Sequence, residues 1–245
     1  MHRAGLVVWD VLTTLRGTVA PGVSTLDLEK LAERRTAEHK ARAAFKGYKG
    51  YPCVLCTSVN QEVVHGIPSA AQRLREGDIV SIDFGVELDG YFADAAVTVP
   101  VGSIAPEKEK LLRVTRESLD RAIDQMRPGN RLGDISHAVQ SWAEENGFSV
   151  VREFVGHGIG TKMHEDLQLP NFGPPGKGPR LQPGMTIAVE PMINLGGPAV
   201  RVLDDQWTAV TADGQPSAHF EHTVAVTSNG PWILTRPREM TGPSW

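Results

Sequence analysis

Two aspartates, Asp83 and Asp94, lie on either side of the dipeptide Asp89-Gly90. Both flanking runs are rich in β-branched and aromatic residues. Asp-Gly between such runs predicts a β-hairpin, because a two-residue type I′ turn needs positive φ at both positions. With that turn, Gly85 faces Asp94 and Asp83 faces Ala96. The two carboxylates then lie on one face as diagonal neighbours, roughly 7–8 Å apart at the backbone.

Two carboxylates that point at the same place repel each other unless a cation lies between them. The alternative is that one or both lie on a solvated face of the sheet. The largely apolar run 79–82 before Asp83 indicates a buried strand instead. The pair therefore predicts a metal site, which requires a histidine and further carboxylates from elsewhere in the chain.

Three more residues offer ligands of these kinds. His157 lies in the run Gly-His-Gly-Ile-Gly, and glycine permits close approach of the backbone to a bound group. Glu190 ends one apolar strand-like run, and Glu221 begins another. Four carboxylates balance two divalent cations, and this donor set suits Mn, Fe, Co or Zn. Two such ions about 3.5–4 Å apart can share a hydroxide that attacks a carbonyl group.

Other histidines and the cysteines give weaker signals. For His164, seven residues after His157, a structural and a functional role stay equally open. Strand alternation places His219 on the same face as Glu221 and His222 on the opposite face, and we interpret both as structural or supporting residues. The motif Cys53-Val-Leu-Cys56 has no second pair, so structural or pocket-lining thiols are favoured over a redox pair or a zinc site.

Composition sets broad limits on function. A chain of 245 residues forms one large domain or two small ones, and its net charge of -4 offers no basic surface typical of a nucleic-acid-binding module. No apolar run approaches the length of a membrane span. The first residues lack the apolar stretch of a signal peptide, and only two cysteines are present, so a cytoplasmic location is expected.

Periodicity predicts an α+β protein. Helices are expected at about 4–16, 26–44, 107–126 and 132–146. Further strands are expected at 54–59, 148–154, 186–190, 199–202, 207–211 and 221–227. The Pro/Gly-rich run 171–179 predicts a surface loop near the site.

An internal repeat recurs at an offset of 107 residues. Pro21-Gly22 matches Pro128-Gly129, and the same offset carries Asp83 onto Glu190. We therefore predict one catalytic domain, 1–245, made of two related halves at about 1–105 and 106–245. A site between the two halves follows from their packing about a pseudo-twofold axis.

The motifs together resemble those of type I methionine aminopeptidases, which have the pita-bread fold. The resemblance rests on His65 in Val-Val-His-Gly-Ile-Pro, the two aspartates eleven residues apart, Gly-His-Gly-Ile-Gly, Val-Glu-Pro-Met and Phe-Glu-His-Thr. It covers nearly the whole chain, in the same order and spacing. It implies two pseudo-symmetric α+β halves with a central antiparallel sheet. The implied activity is removal of the initiator methionine from new polypeptides with a small second residue.

The resemblance also implies roles for single residues. Asp83 would be a bidentate ligand of one metal, Asp94 and Glu221 would bridge both metals, and His157 and Glu190 would complete the shell of one metal. Glu190 would also act as general base toward the bridging water. Two histidines would act on the substrate and five side chains would form the methionine pocket. They are His65 at the scissile amide nitrogen, His164 at the carbonyl oxygen, and Tyr48, Tyr51, Cys56, Met163 and Trp207 around the methionine.

Departures from the family pattern are few. Met163 stands where an aromatic residue is usual, and Phe45 replaces a cysteine at the pocket edge in some members. Only 26 residues separate His164 from Glu190, too few for the helical insertion of type II members. The implied partners are N-terminal peptides of nascent polypeptides, with at most transient ribosome contact, and the implied state is a monomer.

Two alternatives are disfavoured. Xaa-Pro peptidases share the metal ligands but usually carry an additional N-terminal domain, for which the 82 residues before Asp83 leave no room. A pita-bread protein that only binds partners should have lost ligands, whereas all five candidate ligands are present.

Overall fold

A computed structural model describes residues 1–243 and 245. The helices of this part of the chain are α1 (His2–Thr18), α2 (Thr25–Glu38), α3 (Pro106–Asp124) and α4 (Leu132–Glu145), with a short 3-10 turn at Tyr48–Gly50. The strands are β1 (Arg42–Ala43), β2 (Leu55–Val59), β3 (Glu62–Val64), β4 (Ile79–Leu88), β5 (Tyr91–Pro100), β6 (Ser149–Val150), β7 (Gly156–Gly158), β8 (Glu165–Leu169), β9 (Thr186–Val189), β10 (Met192–Asn194), β11 (Val200–Val202), β12 (Ala209–Thr211), β13 (Ser217–His219), β14 (His222–Thr227) and β15 (Gly230–Ile233).

The central hairpin has the predicted register. Strands β4 and β5 pair antiparallel along their whole length, with Gly85 opposite Asp94 and Asp83 opposite Ala96. The turn residues Asp89 and Gly90 have φ values of 52° and 79°. These positive values are those of a type I′ turn, so the prediction made from the Asp-Gly dipeptide is confirmed.

All strand pairs described are antiparallel, and they form four small sheets. In one sheet β4 pairs with β1 and β2 along one edge and with β5 along the other. A five-stranded sheet has the order β15-β14-β9-β7-β8, and two three-stranded sheets have the orders β13-β10-β6 and β11-β12-β3. Helix α1 covers β4 and β5, and its fully buried Val8, Val11, Leu12 and Leu15 form one side of the main core.

Corresponding features recur in the two halves at the offset of 107 residues. The Asp27 carboxylate accepts the Ser24 backbone N–H at the start of α2 (3.0 Å), and the Asp134 carboxylate accepts the Arg131 N–H at the start of α4 (2.7 Å). Isolated bridges join Ser24 to Arg73 and Arg131 to Arg180 at the same offset. The two α+β halves are therefore built alike, and the boundary near residue 105 stays a prediction.

Several predicted boundaries are wrong. Helix α2 ends at Glu38, because Lys40 adopts a left-handed φ of 54° and Arg42–Ala43 pairs with β4. Pairing with a neighbouring strand here outweighs the helical preference of the sequence. The strand expected at 148–154 shortens to Ser149–Val150, since β10 offers partners only there. Within the described residues, no helix is long and apolar enough to cross a bilayer.

Candidate metal centre

Three carboxylates converge because β5 has a partner on each side. On one side Ala96 is the register partner of Asp83. On the other side Ala96 exchanges both backbone hydrogen bonds with Glu221, at 2.9 and 3.4 Å. Residues directly opposite each other in such a ladder share a face, so the small Ala96 lies between the two carboxylates. Asp94, two residues along β5, presents a third carboxylate on that face.

The remaining two candidate ligands come from the five-stranded sheet. His157 lies on β7, and Glu190 follows the end of β9, its neighbour. The Nε2 atom of His157 is 3.6 Å from Asp94 Oδ2 and 3.7 Å from Glu190 Oε1. Ligand atoms of Asp94, His157 and Glu221 all lie within 4.8 Å of one another. The two halves of the fold thus bring all five candidate ligands to one cavity.

The orientation of His157 suits a metal ligand. Its Nδ1 donates to the Gly158 carbonyl oxygen at 3.0 Å. That bond orients the ring and directs Nε2 among the carboxylates, as in metal-ligating histidines. Despite burial, the neighbouring Asp94 and Glu190 raise the pKa of His157 to about 9.

Burial opposes ionisation of the carboxylates, and the positive charge of His157 offsets this effect only in part for Asp83 and Glu190. Burial, followed by the charge of Asp94, raises the pKa of Asp83 well above its usual range. Burial likewise raises the pKa of Glu190 and of Glu221. The Oδ1 atom of Asp83 is closed to solvent and has no hydrogen-bond partner among the described residues. Oxygen donors with one imidazole and an unsatisfied carboxylate oxygen fit a divalent cation of the borderline class.

The cavity has a volume of about 310 Å³ and joins this acidic cluster to a softer region. Cys56 is the register partner of Asp83 across β2 and β4, which places its thiol beside the cluster. Tyr51 packs edge-on against Trp207, with ring centroids 5.1 Å apart. All five predicted pocket residues, together with Phe45, line the cavity. They are Tyr48, Tyr51, Cys56, Met163 and Trp207.

His65 and His164 stand at different walls of the cavity. His65 follows β3 with a left-handed φ of 61°, and its ring packs edge-on against Phe154 at 5.4 Å. Strained backbone of this kind is characteristic of functional sites. His164 stacks on Tyr48 and lies 3.9 Å from the His157 ring, centroid to centroid.

Both histidines are neutral near pH 7. Burial lowers the pKa of His65 to about 4. Partial burial against its ring neighbours, followed by the charge of His157, lowers the pKa of His164 to about 4 as well. Each can therefore offer one N–H and one lone pair to a bound group.

Sequence reasoning missed part of this cavity. It gave no role to Phe154, and it assigned His219 only a structural or supporting role although the side chain lines the cavity. Strand alternation relative to Glu221 was the available signal. Burial, followed by the charge of His65, lowers the pKa of His219 to about 3. His222 faces away, stacked on Trp245 with ring centroids 4.6 Å apart.

Comparison with known proteins agrees with this site. The family model described as "Metallopeptidase family M24" matches residues 1–228. The chain belongs to metallopeptidase family M24. It is 52% identical to a methionine aminopeptidase of Clostridium perfringens over 235 residues, which cover 96% of this chain and 94% of that protein.

Solved structures of the M24 family have the same fold as this chain. The crystal structure of methionine aminopeptidase from Thermotoga maritima matches with a TM-score of 0.96 and 48% identity, covering 97% of this chain and 95% of that one. An Xaa-Pro dipeptidase from Bacillus anthracis matches with a TM-score of 0.75 and 21% identity, covering 98% of this chain and 61% of that one. The second likeness concerns the fold alone, the pita-bread fold expected from the sequence.

Proposed function

We propose that this M24 protein is a methionine aminopeptidase that removes the initiator methionine from new polypeptides whose second residue is small. One observation carries the proposal: a single cavity joins five candidate ligand side chains to a pocket of thiol, thioether and aromatic groups. Such a soft, polarisable pocket suits a methionine thioether. The relatives named methionine aminopeptidase, at about half identity over nearly the full chain, support the same activity.

In this proposal five residues hold two divalent ions, with Co, Mn, Fe and Zn as the candidates. The residues that would hold them are Asp83, Asp94, His157, Glu190 and Glu221. When bound, the ions supply Lewis acidity and make water a better nucleophile. They also neutralise the carboxylates whose pKa values burial raises.

The chain's own residues then handle the proton and the developing charge. Glu190 accepts a proton from the attacking water as general base and then, as general acid, passes it toward the leaving amine. His164, neutral at pH 7, donates an N–H to the scissile carbonyl oxygen as it becomes an oxyanion. His65 contacts the scissile amide near its nitrogen. The aromatic stack of Tyr48 on His164 holds that imidazole in place.

The proposed setting follows from this substrate. Nascent polypeptides are made in the cytoplasm, which also suits the two free cysteines, Cys53 and Cys56. The enzyme acts as a monomer on free N-terminal peptides, with ribosome contact that is transient. The alternative of a partner-binding protein without catalysis predicts metal binding but no peptide cleavage.

Methionine release from Met-Ala-Ser tests the proposal. The metal-free protein is loaded in turn with Mn, Co, Fe or Zn, and Met-Lys-Ser serves as the substrate with a bulky second residue. We expect metal-dependent release from Met-Ala-Ser, little release from Met-Lys-Ser, and collapse of activity in Glu190→Ala and His164→Ala. A folded, metal-binding wild type that releases no methionine with any metal would refute the proposal.

A further inference from the structure

His219 is a buried imidazole in the cavity for which the proposed reaction gives no role. Its side chain is 2% exposed. Its Nε2 atom has no hydrogen-bond partner within the described part of the chain. Leaving a buried donor or acceptor unpaired costs free energy, so we expect a bound substrate to supply the missing hydrogen-bond partner.

The backbone of His219 is held from the side of β5. The Thr98 hydroxyl donates to the His219 carbonyl oxygen and accepts the His219 N–H, both at 2.8 Å. The Ser81 hydroxyl, also at 2.8 Å, completes the hydrogen bonds of Thr98. His219 is thus anchored through its main chain, and its ring Nε2 is left without a hydrogen-bond partner among the described residues.

Strand register defines where the ring stands. Ser81, Thr98 and His219 form one row across three neighbouring chain segments. Asp83 and Glu221 belong to the adjacent row, two residues along each strand, a step of about 7 Å. His219 therefore stands beside the acidic cluster, on the side away from Asp94.

His65 stands at the other end of this row. Ser58 is the register partner of Ser81, and its hydroxyl accepts the Gly66 N–H at 3.2 Å. The residue before Gly66 is His65, whose ring makes no hydrogen bond among the described residues, only edge contacts with Phe154 and Trp207. Two imidazoles without polar partners thus border the same side of the cavity.

A peptide in the proposed reaction presents its polar groups in a fixed order. The α-amine and the scissile carbonyl belong at the acidic cluster and at His164, and the scissile nitrogen belongs at His65. The next polar group along the chain is the backbone carbonyl of the second residue. Among the described cavity-lining side chains that the proposed reaction does not use, His219 is the buried one with an unpaired ring nitrogen, whereas Lys49 and Glu153 are exposed.

We infer that His219 binds the substrate by donating a hydrogen bond from its ring to the backbone carbonyl of the second residue. This role rests on the proposed function and extends it, because it makes the enzyme favour true peptides over other methionine amides. A neutral imidazole has one N–H to give, and the fixed backbone lets it do so without ordering a flexible chain.

The test compares two substrates that share the scissile amide. Met-Ala-Ser carries the second-residue carbonyl, and methionine p-nitroanilide does not. For His219→Ala we expect kcat/KM on the peptide to fall about 3–10-fold, the loss of one neutral hydrogen bond, with little change on the anilide. His219→Gln keeps an N–H donor and should recover much of the peptide activity. His137→Gln, an exposed histidine on α4, is the matched control.

Metal content and the midpoint of thermal unfolding are measured for each variant. Metal content should match the wild type, since the inference gives His219 no metal to bind, and the unfolding midpoint shows that each variant is folded at the assay temperature. If kcat/KM falls equally on the peptide and the anilide, or falls on neither, the role of His219 is overturned and the proposed function stays intact. A wild type that cleaves neither substrate would overturn the proposed function, and the role of His219 with it.

Discussion

Replacing Asp83 by asparagine should change the stability of the metal-free and metal-loaded protein in opposite directions. In the metal-free protein, Asp83 Oδ1 is closed to solvent without a partner, and burial and Asp94 raise the pKa of this carboxyl. Asparagine has nearly the same shape and no charge. The neutral amide avoids the cost of burying a carboxylate or of protonating it at pH 7, so the metal-free variant should unfold with a free energy about 1–3 kcal/mol above that of the wild type.

The metal-loaded protein should respond the other way. At a metal concentration 100 times the dissociation constant, binding to the folded state alone adds about 2.7 kcal/mol of stability. For a chain of this size that corresponds to a rise of roughly 5–10 °C in the unfolding midpoint. If Asp83 binds the metal as proposed, Asp83→Asn removes a ligand and a balancing charge, so most of this rise should be lost.

Calorimetric unfolding of both proteins, with and without Mn, measures the two effects. The control is Asp166→Asn, an exposed aspartate on β8, which should change neither quantity by more than about 0.5 kcal/mol. A variant that is less stable than the wild type without metal, yet keeps the full metal-induced rise, would refute the assignment of Asp83 to the metal centre.

Three further predictions follow from individual contacts. The pKa of His157 is raised to about 9, so its contribution to the stability of the metal-free protein is complete below about pH 6.5 and is lost as pH rises through 9. The urea midpoint of the metal-free protein should therefore be lower at pH 9 than at pH 7, and a higher midpoint at pH 9 would contradict this prediction. Glu29→Ala leaves two buried backbone N–H groups unpaired and should lower the free energy of unfolding by about 2–4 kcal/mol. A loss below about 0.5 kcal/mol, which is typical of surface substitutions, would argue against a stabilising role for this carboxylate. Trp245→Phe keeps the aromatic stack on His222 but removes the indole N–H bond to the Glu221 carbonyl (3.2 Å); a loss of about 0.5–1.5 kcal/mol is expected by chemical denaturation, and a larger loss in Trp245→Phe than in Trp245→Ala would count against it.

Local sequence was sufficient for features that depend on neighbouring residues. The Asp89-Gly90 turn and the alternation of β4 and β5 gave the register that places Asp83 and Asp94 on one face. Turn geometry and side-chain alternation are properties of a few adjacent residues, so no distant contact was needed to predict them.

Features that depend on distant pairing could not be predicted from single segments. Helix α2 stops at Glu38 because β1 pairs with β4, some 45 residues later. The pKa values of the acidic cluster depend on how deeply the second half of the chain covers it. The unpaired Nε2 atom of His219 also could not be predicted, because it depends on which side chains the tertiary structure places around the ring.

The sequence by itself determined which functional groups are available: four carboxylates and one histidine near strand-forming segments, and a set of thiol, thioether and aromatic side chains for the pocket. Tertiary structure alone decided that these groups meet. It set the 3.6 Å approach of His157 to Asp94, and it closed the cavity around them. The physical reason is that covalent geometry fixes the distance between residues along one strand, whereas the packing of the whole core sets the distance between two sheets.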